Sequence, residues 1–498
     1  MTTLIKNGLV YDGTGTAPVK KDILIRGERI AKCGTISRTH AETVIDATGA
    51  VITPGFIDIN AHSDHYMSLF YEPHQEDFVR QGITTIIGGN CGVSLAPLVD
   101  GSLRTIHEWG NETHTNVNWT SVKQFYAMLK RRGLGINFGM LAGHTTIREA
   151  ITRGKFRDLT ESEIRLFKHV LARAMKDGAL GLSTGLGHTH AERTPHHELV
   201  ELAKVIATHK GVYATHLRDV RDELLASIEE TIMLASETGA NVQILHLQPL
   251  KSHREQYTEA ARMIQKESAR LHINFDVNPF DTATMLVYEL LPNWFREERL
   301  ETMHTNIKVP HARERLIAHF KATAPRDCML AHIPHPSLKF LEGRSIREFG
   351  ARSGISYEEA ILKIMDITNL RATISAKIVD AELRDAYIAH PNSFIATNSA
   401  SFSKKEFKYI PSTDTYPALL RMAAESETIR TEHAIEKSTS LPAKKYGIAK
   451  RGEIREGNFA DIVVHENFRP AHVFVNGTRV LDGGELVKHL RGAIIKRA

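Results

Sequence analysis

Residues 55–65 read GFIDINAHSDH, and the fold turns on how this stretch is taken. Gly-Phe-Ile-Asp-Ile is a short apolar strand, and a polar cluster holding His62, Asp64 and His65 follows at once. Imidazoles and a carboxylate at the end of an apolar strand read as the floor of a metal site. Such a floor usually carries two histidines one residue apart. This one carries Asn60, Ala61 and His62.

The same texture recurs downstream. After 56–62 FIDINAH, short apolar runs fall at 82–91 GITTIIGGNC, 136–143 INFGMLAG, 178–184 GALGLST and 211–217 GVYATHL. The others are 241–247 NVQILHL, 273–280 INFDVNPF and 393–399 SFIATNS. Helix-like stretches separate most of them, such as ELLASIEETIMLASETG, with apolar residues three and four apart and a glycine stop. Eight runs alternating with helices predict an α/β chain folded as a (β/α)8 TIM barrel. A doubly wound open sheet is the competing architecture, but no Gly-x-Gly-x-x-Gly follows the first strand.

One connection breaks the rhythm. About a hundred residues separate the last two runs, far more than one crossover helix needs. NWFREERLETM, PHARERLIAHF and SYEEAILKIMDI have helical periodicity, which predicts a helical insert over residues 286–350 at the barrel mouth. The two ends differ again. TLIKNGLVYDGTG, KDILIRGERIAKCG and TVIDATGAVITPG near the start, and NFADIVVHE and AHVFVNGTRVLDGGEL near the end, read as strands with tight turns. The expectation is a small β-sandwich built from residues 1–54 and 440–498, flanking a barrel over 55–439.

Composition narrows the function. Of 498 residues 42% are hydrophobic and 24% charged, ordinary for a globular chain with a large interior. The net charge of +5 is small and scattered, which argues against nucleic acid or a membrane surface as partner and leaves a small molecule. No apolar run reaches the ~18 residues needed to span a bilayer. The start, MTTLIKNGLVYDGTG, has no signal-peptide core, so cytoplasmic residence is expected. Three cysteines, Cys33, Cys91 and Cys328, are too few for a disulfide framework. Oligomeric state leaves no trace in the sequence.

On a barrel the reactive residues gather. His62, Cys91, His216, His246 and Asn398 each close an apolar run, and the ends of barrel strands share one rim. Cys91, His216 and His246 offer one sulfur and two imidazoles, and three protein ligands with an open position make up the usual catalytic Zn²⁺ arrangement. Gly89 and Gly92 flank Cys91 and allow a close approach. Cys33 falls in the N-terminal sheet and Cys328 in the insert, and neither is given a role.

PGFIDINAHSD, QGITTIIGGNCGVSLAP, GALGLSTGL, ATHLRD, ILHL and the closing GEIREGNFADIVVHE…HVFVNGTRV resemble the N-acyl-D-amino-acid deacylases (D-aminoacylases) of the amidohydrolase superfamily. The resemblance covers essentially the whole chain. It implies a barrel with a flanking sandwich and an insert, and hydrolysis of an amide C–N bond in a small anionic N-acyl amino acid by a zinc-activated water. It also implies one tight zinc on Cys91, His216 and His246. A second, weaker position in the family uses two histidines, of which only His62 stands here, so that position is expected to be lost or weak.

Other departures accompany it. The family's catalytic aspartate lies in a Ser-Asp-Gly after the eighth strand, where this chain has Thr397-Asn398-Ser399. An amide orients water but does not carry its proton, so Asp64 and His62 become candidates for that task beside Asn398. In place of the family's substrate-binding Tyr-x-Pro-Gly stands His188-Thr189-His190-Ala191, and Asn278 and Phe280 replace tyrosines after the seventh strand. His188, His190 and Arg218 are the candidate substrate contacts; for Arg218 an ion pair with Asp219 is the competing reading. The competing function is a metal-binding but catalytically silent protein.

Overall fold

Eight parallel strands form the centre of the chain. They are β1 (Phe56–Asp58), β2 (Ile83–Gly88), β3 (Asn137–Met140), β4 (Gly181–Gly185), β5 (Val212–His216), β6 (Asn241–Ile244), β7 (Ile273–Val277) and β8 (Ser393–Ile395). The computed structural model describes every residue except 1, 38–39, 104, 107–108, 110–115, 189–190, 192, 297–298 and 498. β1 to β3 pair in order, as do β4 to β8. Ala142–Gly143 carries β3 on to pair with β4. The ring closes where Ala61 bridges Ser399 and His62 N–H donates to Ser399 O at 2.7 Å. Each strand falls on one of the eight apolar runs, β4 ending one residue past its run, and β2, β4 and β5 are buried along their whole length. Strands covered on both faces lose the polar alternation of a half-exposed sheet, which is why they read as unbroken apolar runs.

The helices between them are held by local chemistry. Glu161–Asp177 starts on a Thr160–Glu163 capping box, ends at Gly178 in the left-handed region, and buries Ile164, Phe167, Leu171, Ala174 and Met175. Leu224–Thr238 stops at Gly239 as its sequence predicts and turns Leu224, Ile228, Leu234 and Ala235 inward. No helix among the described residues is long and apolar enough to cross a membrane.

The two chain ends meet in one hydrogen-bonded sheet of nine strands. Val51–Pro54 pairs with both Thr2–Val10 and Ile462–Glu466, joining the N- and C-terminal halves. Ile5, Ile25, Ile52, Ile462, Val464 and Phe474 share its core. The segment after residue 440 does not open as a strand. Ser440–Tyr446 is a helix under the barrel, where Ala443 and Tyr446 pack with Ile57, Leu141 and Val212. Its Lys445 Nζ donates to Val242 O, His272 O and Asn274 Oδ1 at the entry of β6 and β7.

The insert corrects its helical expectation. Helices Pro310–Thr323, Ile346–Ser353 and Tyr357–Ile367 are present, but so is a three-stranded antiparallel sheet of Ala283–Leu286, Met329–His332 and Thr373–Ala376. Each of these strands has four residues, too short for alternation to stand out against helical neighbours.

Candidate metal centre and substrate cavity

Three strand ends bring unlike donors together. His216 is the last residue of β5, Cys91 lies three residues past β2, and His246 two past β6. One donor atom from each lies within 4.8 Å of the others. His216 Nδ1 is 3.0 Å and Cys91 Sγ 3.4 Å from His246 Nε2. Cys91 (φ 49°), His246 (φ 39°) and Asn398 (φ 49°) all adopt left-handed backbone, which non-glycine residues rarely do and which concentrates at functional sites. The turn around Cys91 depends on glycine. A Cβ on Gly89 would stand 2.1 Å from Leu141 O, and one on Gly92 2.8 Å from Gly185 N. The glycines thus let the Cys91 turn pack directly against neighbouring backbone.

The donor set fits a zinc ion. Burial pushes the Cys91 thiol well above its usual range, with the Asp276 charge adding to the rise. Burial drives His216 well below the usual imidazole value and His246 down to about 4. Unprotonated imidazoles are ready donors, and a cation among the three is what favours the buried thiolate. Three protein ligands leave an open position toward the cavity, the pattern of catalytic rather than structural zinc sites.

A network under the trio orients it. Asp276 in β7 accepts from His246 N–H at 2.9 Å, Asn60 Nδ2 at 3.1 Å and Gln243 Nε2 at 3.2 Å. Burial raises its carboxyl to about 7. Asn60 thus serves a carboxylate below the rim and does not line the cavity. Asp64 does not line it either. Its Oδ2 accepts from Gly89 N–H at 2.6 Å, so it braces the Cys91 turn, and burial raises its pKa to about 6.

His62 stands apart from the trio. Its Nε2 faces Asn398 at 2.8 Å, its Nδ1 faces His65 Nδ1 at 2.9 Å, and His65 Nε2 reaches Val93 O at 3.0 Å. Burial lowers His62 to about 3, helped by the neighbouring His65, and His65 to about 4. Two neutral imidazoles supply two protons for three contacts. The structure places Asn398 Oδ1 at that contact, and the neutral chain requires the amide turned so that its nitrogen donates to His62 Nε2.

The cavity above spans about 870 Å³ including its open mouth and is lined by His62, Cys91, His188, His216, His246 and Asn398, with Met285 and Glu289 from the insert. His188 packs 4.4 Å from His216, ring centre to ring centre, and its Nδ1 lies 3.2 Å from Tyr288 Oη. Its buried Nε2 has no hydrogen-bond partner among the described residues. His190 falls outside the described residues. Arg218 is turned away from both of its expected partners: its Nε and Nη2 pair with Glu230 at 3.1 and 2.8 Å. The helix Leu224–Thr238 supplies the carboxylate, in place of the expected Asp219. Asp276, Glu289, Tyr288 and Arg221 were missed. Only Asp276, a carboxylate inside an apolar run, carried a signal that could have marked it.

The amidohydrolase family model matches residues 43–479. A D-aminoacylase of Alcaligenes xylosoxydans xylosoxydans is 28% identical over 94% of this chain and 88% of its own length. An N-acyl-D-aspartate deacylase of the same organism is 28% identical over 96% and 92%. The fold matches that of an N-acyl-D-glutamate deacylase from Bordetella bronchiseptica, solved with zinc and a phosphonate inhibitor, at TM-score 0.82 over 99% of both chains and 23% identity.

Proposed function

This chain belongs to the amidohydrolase family, and we propose that it hydrolyses the amide bond of N-acyl amino acids with a single zinc ion held by Cys91, His216 and His246. The convergence of those three donors at one end of the barrel, opening on a cavity walled by apolar side chains with a few polar groups, carries the reading. The names of the full-length relatives supply the substrate class. When bound, zinc polarises the amide carbonyl and acidifies water at neutral pH.

The chain's own residues do the rest. His62 Nε2 takes the proton released in the attack and returns it to the leaving nitrogen. Asn398, paired with it, turns its amide oxygen to His62 once that nitrogen is protonated. His188, fixed by Tyr288, offers its unpartnered Nε2 to a substrate oxygen. A second metal position is not expected, because Asn60 is committed to Asp276 and His62 to Asn398.

Metal analysis and turnover test this together. Purified protein should hold about one zinc per chain and release free amino acid from at least one member of a panel of N-acetyl-D- and N-acetyl-L-amino acids. Cys91→Ser should weaken zinc binding by more than the ~100-fold upper range seen for loss of a ligand's outer partner. A zinc-free protein, or full zinc retention by Cys91→Ser, would end the proposal. The amides at 60 and 398 favour a second reading, a zinc protein without turnover, and an inert parent would select it.

A further inference from the structure

Two arginines follow His216 on one loop, and the fold treats them oppositely. Arg218 is neutralised by its two-point pair with Glu230 and also donates to Thr194 O at 3.0 Å. Arg221 lines the cavity above the metal trio. Its Nη1 donates to the backbone oxygen of Glu289 at 3.0 Å, and its Nη2 approaches Met285 Sδ at 3.9 Å. Both acceptors are neutral, and among the described residues no carboxylate lies within ion-pair distance of Arg221. The carboxylate of Glu289 turns instead to Leu286 N–H at 2.8 Å. A half-buried guanidinium held in place by neutral acceptors is a preset fork with no carboxylate bonded to it, Glu289 acting on it through its charge alone.

We propose that Arg221 anchors the single carboxylate of the substrate, and that the cavity selects N-acyl amino acids whose side chain carries no second negative charge. Among the described residues lining the cavity, Arg221 is the one Arg or Lys and Glu289 the one Asp or Glu. A first carboxylate meets Arg221. A second finds no further Arg or Lys among the described wall residues and has to approach Glu289, whereas Leu250, Met285 and Ile378 suit an apolar side chain. Burial raises the Glu289 carboxyl, while the charges of Arg221 and, after it, Arg296, which does not line the cavity, favour its ionised form. This discriminates between the substrate types named for the relatives, with N-acylated acidic residues disfavoured.

The substrate class rests on the hydrolase reading, so the test uses probes that need no turnover. Zinc-loaded protein is titrated calorimetrically with both enantiomers of N-(methylsulfonyl)leucine, whose sulfonamide resists hydrolysis, with their primary amides, and with N-(methylsulfonyl)glutamate. The better leucine acid should bind about 10- to 100-fold more tightly than its amide, the span of a charge-assisted Arg–carboxylate contact. It should bind at least tenfold more tightly than the glutamate probe. Arg221→Gln should abolish the preference for acid over amide while leaving zinc content and amide affinity unchanged. Arg221→Lys should restore part of it, and Glu289→Gln should narrow the gap to the glutamate probe. Equal losses of acid and amide in Arg221→Gln, no loss at all, a glutamate probe bound as tightly as the leucine acid, or a parent that binds none of the acids would overturn the proposal. Tight, Arg221-dependent binding in a protein that hydrolyses no N-acetyl amino acid would leave Arg221 as the anchor and remove only the hydrolase reading.

Discussion

At position 398 the difference between an amide and a carboxylate sets the chemistry of the site. A carboxylate there would favour the imidazolium of His62; the amide leaves His62 neutral, with burial holding it near 3. The proton-carrying task therefore falls on the imidazole. His62→Gln should lower kcat by ~10²–10⁴ with zinc content unchanged, as expected for loss of a general base. Asn398→Asp should raise the His62 pKa and move the acidic limb of the kcat profile to higher pH, because His62 must be neutral to accept a proton. A parent inert across the panel with an active Asn398→Asp variant would decide for the silent reading. Only part of this was legible in the chain. Cys91, His216 and His246 could be named because each closes an apolar run, and barrel geometry carries strand ends to one rim. The Asn60–Asp276 bond joins residues 216 positions apart, and Arg218 chooses Glu230 in the following helix over the adjacent Asp219. Neither pairing is written in local pattern.

Among the elements, the barrel strands were legible because parallel strands buried on both faces are continuous apolar runs bounded by helices. The insert's four-residue strands were not, since pairing between distant segments makes them strands. The helix Ser440–Tyr446 was also missed. Its seven residues lie in a stretch that resembles the sheet after it, and only tertiary contact shows that it closes the barrel floor. Lys445 gives that contact its strength. Its ammonium is buried with a pKa well below the ordinary lysine value, and it satisfies three oxygens at the entry of β6 and β7. Lys445→Met keeps the apolar stem but leaves those oxygens without their donor, at a cost of ~1–3 kcal/mol. The expected result is a lower denaturant midpoint with unchanged zinc content in the folded protein. An unchanged midpoint would mean that water replaces the ammonium without loss.

For the molecule as a whole, burial of unpaired imidazoles makes stability depend on pH. His62 and His188 are held near 3, His65 and His246 near 4, all chiefly by burial. His465, in the terminal sheet, is also held near 3, with its Nε2 2.9 Å from Thr53 Oγ1. In the unfolded chain each takes up a proton near pH 6.5. Between that value and the native one the unfolded state binds more protons, so stability is complete above pH 6.5 and drains away as pH falls toward 4. Buried carboxylates act oppositely. Asp58 and Asp64 are raised to about 6 and Asp276 to about 7, so the native state holds their protons longer, and the destabilisation they cause is relieved on acidification. With His216, His332 and His390 also held low by burial, the imidazoles outweigh the carboxylates, each group contributing at most ~1.4 kcal/mol per pH unit. Metal-free protein should therefore melt at a lower temperature at pH 5.0 than at pH 7.5, and zinc should widen the difference, since it binds only the unprotonated imidazoles. His465→Gln, far from the metal ligands, removes one titrating group without touching the cavity and should flatten the profile. An equal or higher melting temperature at pH 5.0 would show that the carboxylates dominate, and that the imidazoles at the rim are not kept neutral by the fold.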